Sequence, residues 1–270
     1  MRAEIGALEA HVERPSLLRA LAAGALELLL PRHCVACDRA LDAGEPGVVC
    51  GRCWARLDLL AEPRCARCGH PRPTLPAFLT TEPPCRWCPL LAPYVRAARS
   101  ACWIGEDGTG AAIVHALKYG GWRAVAHGIA ERMARLSWPA DVVAERALVV
   151  PVPLAPARER ERGYNQSALL ARALAARWAL PAAGDLLYRT RATRTQTRLT
   201  PGERLANVRG AFRASDGAPA RVRGAHVVLV DDVVTTCATL NACAAALFDA
   251  GARIVSFATF GRARTVGDPR

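Results

Sequence analysis

Lysine is almost missing from this chain. Of its 36 basic residues all but Lys118 are arginine. A P-loop needs Gly-x-x-x-x-Gly-Lys-Ser/Thr, whose lysine reaches the terminal phosphates of a nucleotide. Lys118 instead follows Val114-His115-Ala116-Leu117, which excludes nucleotide hydrolysis of that type. Long apolar runs are missing too. The stretch Leu17 to Leu30 is interrupted by Arg19 and Glu27 and is too short to cross the hydrocarbon core of a bilayer. Glu4, Glu9 and Glu13 crowd the region that a secretory leader keeps basic. Residues 1–30 therefore read as an amphipathic helix packed on the protein, and the compartment as the cytoplasm, with any membrane association coming through partners. Aromatics make up only 6% of residues, which gives thin support to a surface built on base stacking.

What the chain does have is concentrated in Val227-Val-Leu-Val-Asp231-Asp232-Val-Val-Thr235-Thr236-Cys237-Ala238-Thr239-Leu240. Four aliphatic residues in a row suit a strand buried on both faces, as in a parallel sheet covered by helices. Chemistry on such a sheet belongs at the C-terminal end of the strand. There stand two carboxylates, a hydroxyl-rich turn, and an alanine-rich run from Leu240 to Ala250 that reads as a helix closed by Gly251. Unpaired N–H groups at a helix N-terminus favour a phosphate, and Thr235, Thr236 and Thr239 add hydroxyl donors. Carboxylates one step earlier suit a vicinal diol, directly or through a divalent ion and its water. The pattern fits a ribose 5-phosphate. The plainer alternative is a parallel strand with a solvated acidic end.

Cysteine gives the second signal. Eight of 11 cysteines form four Cys-x-x-Cys pairs: Cys34/Cys37, Cys50/Cys53, Cys65/Cys68 and Cys85/Cys88. Two such pairs close one tetrahedral four-thiolate zinc site, which leaves no open position and is therefore structural. The spacing suits two ribbons in series, with interleaved pairing also open. Disulfides are the competing reading in an oxidising compartment. His33 and His70 adjoin ligands that the cysteines already complete. Cys102, Cys237 and Cys243 read as packed thiols.

Prolines 71, 73, 76, 83 and 84 mark irregular chain, and Pro89 and Pro93 a short linker. The first recognisable element beyond Tyr94 is a helical run, Ala111 to Arg135, broken at Gly120-Gly121. It contains Lys118, a candidate substrate contact because a compact point charge has replaced the usual arginine. A buried strand, Leu148 to Val152, leads through proline into Arg158-Glu-Arg160-Glu-Arg162-Gly163-Tyr164-Asn165-Gln166 and a helix from about Ser167 to Trp178. Mixed charge usually marks a solvated face, yet arginines at this connection are also placed to grip a pyrophosphate. Leu186 to Tyr188 reads as a short strand, followed by the basic segment Arg189 to Leu199, which suits a lid over a phosphorylated substrate. Glu203, Arg204, Asn207 and Phe212 return to the core, Ile254 to Phe260 is the last strand, and residues 263–270 are expected to be disordered. The net charge of +12 is concentrated between Arg146 and Arg213, where thirteen arginines face four acids, and favours polyanionic ligands.

The strand, acid pair and Thr-Thr-x-x-Thr loop resemble the signature of type I phosphoribosyltransferases. Cys237 stands where that signature has a glycine, which permits positive φ and close backbone approach. The order of motifs narrows the resemblance. Four cysteine pairs, Leu-Lys-Tyr-x-Gly, Pro-Val-Pro, Arg-x-Arg-Gly-Tyr-Asn-Gln-Ser, Arg-Thr-Arg-x-Thr-x-x-Gln-Thr, Glu-Arg-x-x-Asn-Val-x-Gly-Ala-Phe and the Asp-Asp loop together look like the ComF/GntX family, from about Leu26 to Phe260. The resemblance implies an α/β fold: a type I phosphoribosyltransferase-like parallel sheet flanked by helices (93–262), preceded by a small double zinc-ribbon domain (31–92). For many members it implies a role in natural competence, where single-stranded DNA enters the cytoplasm.

On this reading Asp231 and Asp232 serve the ribose hydroxyls and a magnesium shell, and residues 235–239 (Thr235, Thr236, Cys237, Ala238, Thr239) the 5-phosphate. Charge and family position give Arg162, Gln166, Arg189, Arg191 and Gln196 to the pyrophosphate of phosphoribosyl pyrophosphate. Three functions compete: a phosphoribosyltransferase of unknown acceptor, a non-catalytic single-stranded-DNA-binding competence factor, and a zinc-ribbon scaffold that docks an uptake helicase or channel.

Overall fold

The computed structural model describes residues 31–42, 44–74, 83–191, 210–264 and 268. The expected N-terminal helix, Gln196, most of the expected lid, and Glu203, Arg204 and Asn207 lie outside the described residues. The strands in chain order are β1 (Val95–Ile104), β2 (Arg146–Pro151), β3 (Leu187–Arg189), β4 (Phe212–Ala214), β5 (His226–Val234) and β6 (Ile254–Ala263). Four of them make an all-parallel sheet in the order β1-β6-β5-β2. β3 and β4 form a separate antiparallel pair. The helices are α1 (Gly51–Ala55), α2 (Thr109–Lys118), α3 (Val125–Ala134), α4 (Ala140–Glu145), α5 (Pro156–Arg162), α6 (Gln166–Trp178), α7 (Ala218–Val222) and α8 (Ala238–Asp249).

The run Val227–Val230 is wholly inaccessible to solvent, because successive side chains of a strand point to opposite faces and both faces are covered. Val227 and Leu229 join the apolar cluster beneath α8. Val228 and Val230 join the cluster formed with α2, α3 and α6. Burying each such side chain contributes about 1.5–3 kcal/mol, so β5 anchors both halves of the core.

The structure corrects one expectation: the first element beyond Tyr94 is strand β1, not the helical run that starts near 111. Its first six residues, Val-Arg-Ala-Ala-Arg-Ser, carry two arginines and a serine, and only Ala101–Ile104 is a continuous apolar run. Arg99 is nevertheless buried, because its guanidinium donates to the carbonyls of Ala66, Ala98 and Ser137 at 2.7–2.9 Å. The edge of β1 is covered by the chain between the second and third cysteine pairs: Trp103 N–H donates to Asp58 O at 2.7 Å, and Leu59 bridges Cys102 in antiparallel register. Covering the edge removes a template for pairing with other chains.

A second difference lies after β2. The Arg-Glu alternation is itself a helix, α5, which begins at Pro156 and ends on Gly163 in the left-handed region (φ 78°). At the C-terminus Arg264 pairs with Asp58, and Asp268 with His70, so these two residues of the expected tail are held in place.

Candidate active site and metal centres

The two acids close β5 at the mouth of a cavity of about 340 Å³, whose walls also include Lys118, Gln166, Arg189 and residues of the 235–239 turn. Ser167 Oγ donates to Asp231 Oδ1 at 2.8 Å, and the same oxygen accepts the Asp232 N–H at 2.9 Å. Lys118 Nζ lies 2.9 Å from Asp232 Oδ1. Asp232 Oδ2 is buried with no partner among the described residues, which costs desolvation unless a ligand or cation meets it. Burial, and then the charge of Asp232, push the Asp231 carboxyl up to about 7 against the opposing pull of Ser167 and Lys118. At Lys118 burial disfavours the charge, yet the two carboxylates outweigh it and raise its pKa. Two acids thus share one ammonium, and the site has room for further positive charge.

The turn does what its sequence suggests. Cys237 adopts φ 60°, ψ 2° and caps α8 without a side-chain hydrogen bond. A Cβ in the left-handed region costs about 1–2 kcal/mol, and this thiol is buried in the α8 cluster, which offsets part of it. Thr236 Oγ1 is buried without a partner among the described residues. It stands beside the N-terminus of α8, a helix end of the kind that receives a phosphate.

The basic residues divide. Arg189, at the end of β3, lines the cavity over the ring of Phe212 at 5.2 Å. Gln166 lines it as well, with its Oε1 accepting from Arg162. Arg162 itself lies over Tyr119, 5.2 Å from the ring centre, and faces an adjoining hollow of about 330 Å³ shared with Lys118, Tyr119 and Arg158. Arg191 is exposed and is not among the residues lining either space.

Arg158, one of the arginines expected to grip a pyrophosphate, lines the cavity, and so do Ser167 and the turn Pro153–Ala155, which were not singled out from the sequence. A signal for Ser167 existed: Asn165 Oδ1 caps α6 through the Ser167 N–H at 3.0 Å, while Asn165 Nδ2 donates to Val152 O at 3.0 Å. An Asn-x-Ser helix start thereby ties the β2 loop to the acid pair.

The cysteines assemble in series. Cys34, Cys37, Cys50 and Cys53 form one tetrad, and Cys65, Cys68, Cys85 and Cys88 the other. Sulfur separations are 3.8 and 3.8 Å across the first, and 3.5 and 3.4 Å across the second. Zinc–sulfur bonds of about 2.3 Å in a tetrahedron require sulfurs about 3.8 Å apart, so both tetrads fit zinc. All eleven cysteines are free thiols. Burial opposes ionisation of Cys50 and Cys65, but the donors around each outweigh it and lower them to about 6 and about 7. Burial instead raises Cys102 to about 12 and holds Cys243 well above the usual thiol range. Both are inert packing residues.

A double zinc ribbon domain matches residues 25–89, and a phosphoribosyl transferase domain matches residues 165–267. The DNA utilization protein YhgH of Salmonella typhi is 33% identical over 243 residues, which cover 84% of this chain and 96% of that one. The chain is a member of the ComF/GntX family. Competence protein F of Haemophilus influenzae is 39% identical over 97 residues, 34% of this chain and 40% of that one. Among solved structures, a Bacillus subtilis glutamine phosphoribosylpyrophosphate amidotransferase complexed with ADP and GMP covers 50% of this chain and 26% of its own, at 24% identity and a TM-score of 0.33. In this member of ComF/GntX the ribbons and the phosphoribosyltransferase-like sheet share packed clusters. No helix among the described residues is long and apolar enough to cross a membrane.

Proposed function

We propose that the protein binds phosphoribosyl pyrophosphate with magnesium in the cavity at the end of β5, and that it serves the handling of incoming DNA. The observation that carries this reading is the buried acid pair with one oxygen, Asp232 Oδ2, left without a partner, directly ahead of a turn whose N–H and hydroxyl donors open α8. Asp231 and Asp232 would hold the ribose hydroxyls and the magnesium shell. Bound magnesium neutralises the pyrophosphate charge. Residues 235–239 take the 5-phosphate. Gln166 and Arg189 in the wall, Arg162 through Gln166, and Arg191 and Gln196 from the loop draw the pyrophosphate. Lys118 turns its ammonium from Asp232 to an entering phosphate oxygen.

Where transfer follows binding, the bond from C1 to pyrophosphate breaks as an acceptor attacks C1. The oxocarbenium-like state calls for charge on the leaving group and exclusion of water, not for a protein nucleophile. The printed names of the relatives, DNA utilization protein and Competence protein F, support placing this site in DNA uptake. A second reading, a grip on single-stranded DNA, is favoured by Tyr119, 65% exposed against Arg162 of α5, and by Trp122, 47% exposed three residues further on.

Calorimetric titration of phosphoribosyl pyrophosphate into the zinc-loaded protein, with and without magnesium, tests the first reading. Magnesium-dependent binding lost in Asp231→Asn is the expected result; no binding by the wild type refutes it. The DNA reading expects a steep salt dependence that falls by about one charge in Arg162→Gln, and binding indifferent to salt ends it.

A further inference from the structure

Behind the phosphate loop lies a buried cation that the sugar-phosphate reading leaves unused. Arg262, near the end of β6, is 4% exposed. In the parallel register it stands opposite Val234, the residue immediately before Thr235. Its Nη2 donates 2.7 Å to the carbonyl oxygen of Cys68, a ligand of the second tetrad, while its Nε is buried without a hydrogen-bond partner among the described residues. Its charge also reaches the Cys237 thiol at the cap of α8. Cys65 and Cys68 belong to the same apolar cluster as Val234, Cys237, Ala238 and Leu240. One residue therefore joins the two: its guanidinium holds the metal knuckle, and its backbone pairs with the strand end that launches the phosphate loop.

A buried guanidinium is costly unless its surroundings supply acceptors or countercharge. Four thiolates around a divalent ion leave a net negative charge next to Arg262, and the knuckle fixes the carbonyl it holds. Once the metal leaves, the Cys65–Cys68 turn is free to shift and Arg262 loses that fixed acceptor. Val234 is the register partner of Arg262, and the Thr235–Thr239 turn follows it directly in the chain, so a shift of Arg262 is passed to the turn. We propose that Arg262 is a positioning residue that couples zinc occupancy of the second tetrad to the grip of the 235–239 loop on a sugar phosphate. The inference rests on the sugar-phosphate reading. Coupling between two binding equilibria is reciprocal, so ligand at the loop must hold zinc at the knuckle as strongly as zinc holds the ligand.

The test uses the full, zinc-loaded chain and ribose 5-phosphate as the probe. A chromophoric chelator follows release of the two zinc equivalents with and without saturating ribose 5-phosphate. The expected result is that one equivalent leaves about tenfold more slowly with the probe bound, while the other is unaffected. Repeating the measurement in Cys37→Ser, which disables the first tetrad, assigns the slowed ion to the second. Arg262→Lys keeps the charge but loses the fork, and should still bind both ions with the coupling reduced below about twofold. Zinc release indifferent to a probe that does bind overturns the coupling and leaves the sugar-phosphate reading standing. Equal slowing of both ions overturns it too, since that is general stabilisation. Failure of the wild type to bind the probe ends both. The wild-type comparison needs no substitution, so it decides the matter even if Arg262→Lys does not fold.

Discussion

The two cysteine tetrads have the same ligands and sit on opposite faces of one sheet, but they are attached to it by different means. The first joins the cluster of α2, α3 and α6 through Val49 and Leu57. Trp54 lies edge-on to Phe260 at 6.4 Å and beneath the guanidinium of Arg132 at 3.6 Å. Gly128 lets α3 approach that indole, since a Cβ there would meet Trp54 at 2.5 Å. The second tetrad is attached by directional bonds. Arg67 donates to the carbonyls of Val95, Leu91 and Ala92, Arg99 to Ala66 O and Arg262 to Cys68 O, while His70 stacks on Trp87 at 4.6 Å and pairs with Asp268 at 2.7 Å. Apolar docking tolerates small sliding, whereas arginines bonded to carbonyls fix position along the strands. The first ribbon is a cover, and the second sets register near the site.

That contrast can be broken most directly by removing one ligand from each tetrad. Cys68→Ser should lose at least about 3 kcal/mol of stability with its metal and weaken phosphoribosyl pyrophosphate binding more than tenfold. Cys34→Ser should destabilise comparably yet leave affinity in the remaining folded protein within about twofold. Denaturant melts beside calorimetry separate the two, and equal affinity losses would erase the distinction. Trp54→Ala should cost about 3 kcal/mol, within the range for large aromatic truncation, with ligand affinity unchanged. A loss of affinity there would give the first ribbon a part in the site.

The next effect belongs to the acid pair. Burial first, and then Asp232, raise the Asp231 carboxyl to about 7, so below that pH the free protein holds a proton that a magnesium-bearing ligand must displace. Affinity should therefore fall about tenfold for each pH unit below 7, about 1.4 kcal/mol per unit, and level off above it. Ser167→Ala removes a bond that favours the carboxylate, so the inflection should move to higher pH; an unchanged or lowered inflection would contradict the assignment. Smallest of all, Cys237→Gly relieves the left-handed strain but forfeits the burial of a thiol. We expect stability to change by less than about 1 kcal/mol and phosphate affinity to rise, measured with ribose 5-phosphate.

Much of this is legible in the sequence. Val227–Val230 followed by two acids specified a doubly covered strand, and Cys-x-x-Cys spacing specified tetrads because a metal site needs only local geometry plus one return of the chain. The left-handed turn at Cys237 was readable as the position where the signature has glycine. β1 was not legible, because Arg96, Arg99 and Ser100 look solvated until distant partners appear: Ser137 O for Arg99, and Thr259 Oγ1 for Ser100 at 2.7 Å. Ser167 was missed for the same reason, since its partner Asp231 is 64 residues away. Nor does any local pattern tell that successive ribbons fall on opposite faces of a sheet.

The solitary lysine has a practical consequence. In a chain with one ε-amine, an amine-reactive reagent has a single side-chain target, and that amine is held 2.9 Å from Asp232 in the floor of the cavity. Because the two carboxylates hold that amine protonated, it should react slowly, and a ligand that fills the cavity should change the rate, so the extent of labelling reads occupancy at one side chain, which no reagent aimed at the eleven cysteines could do.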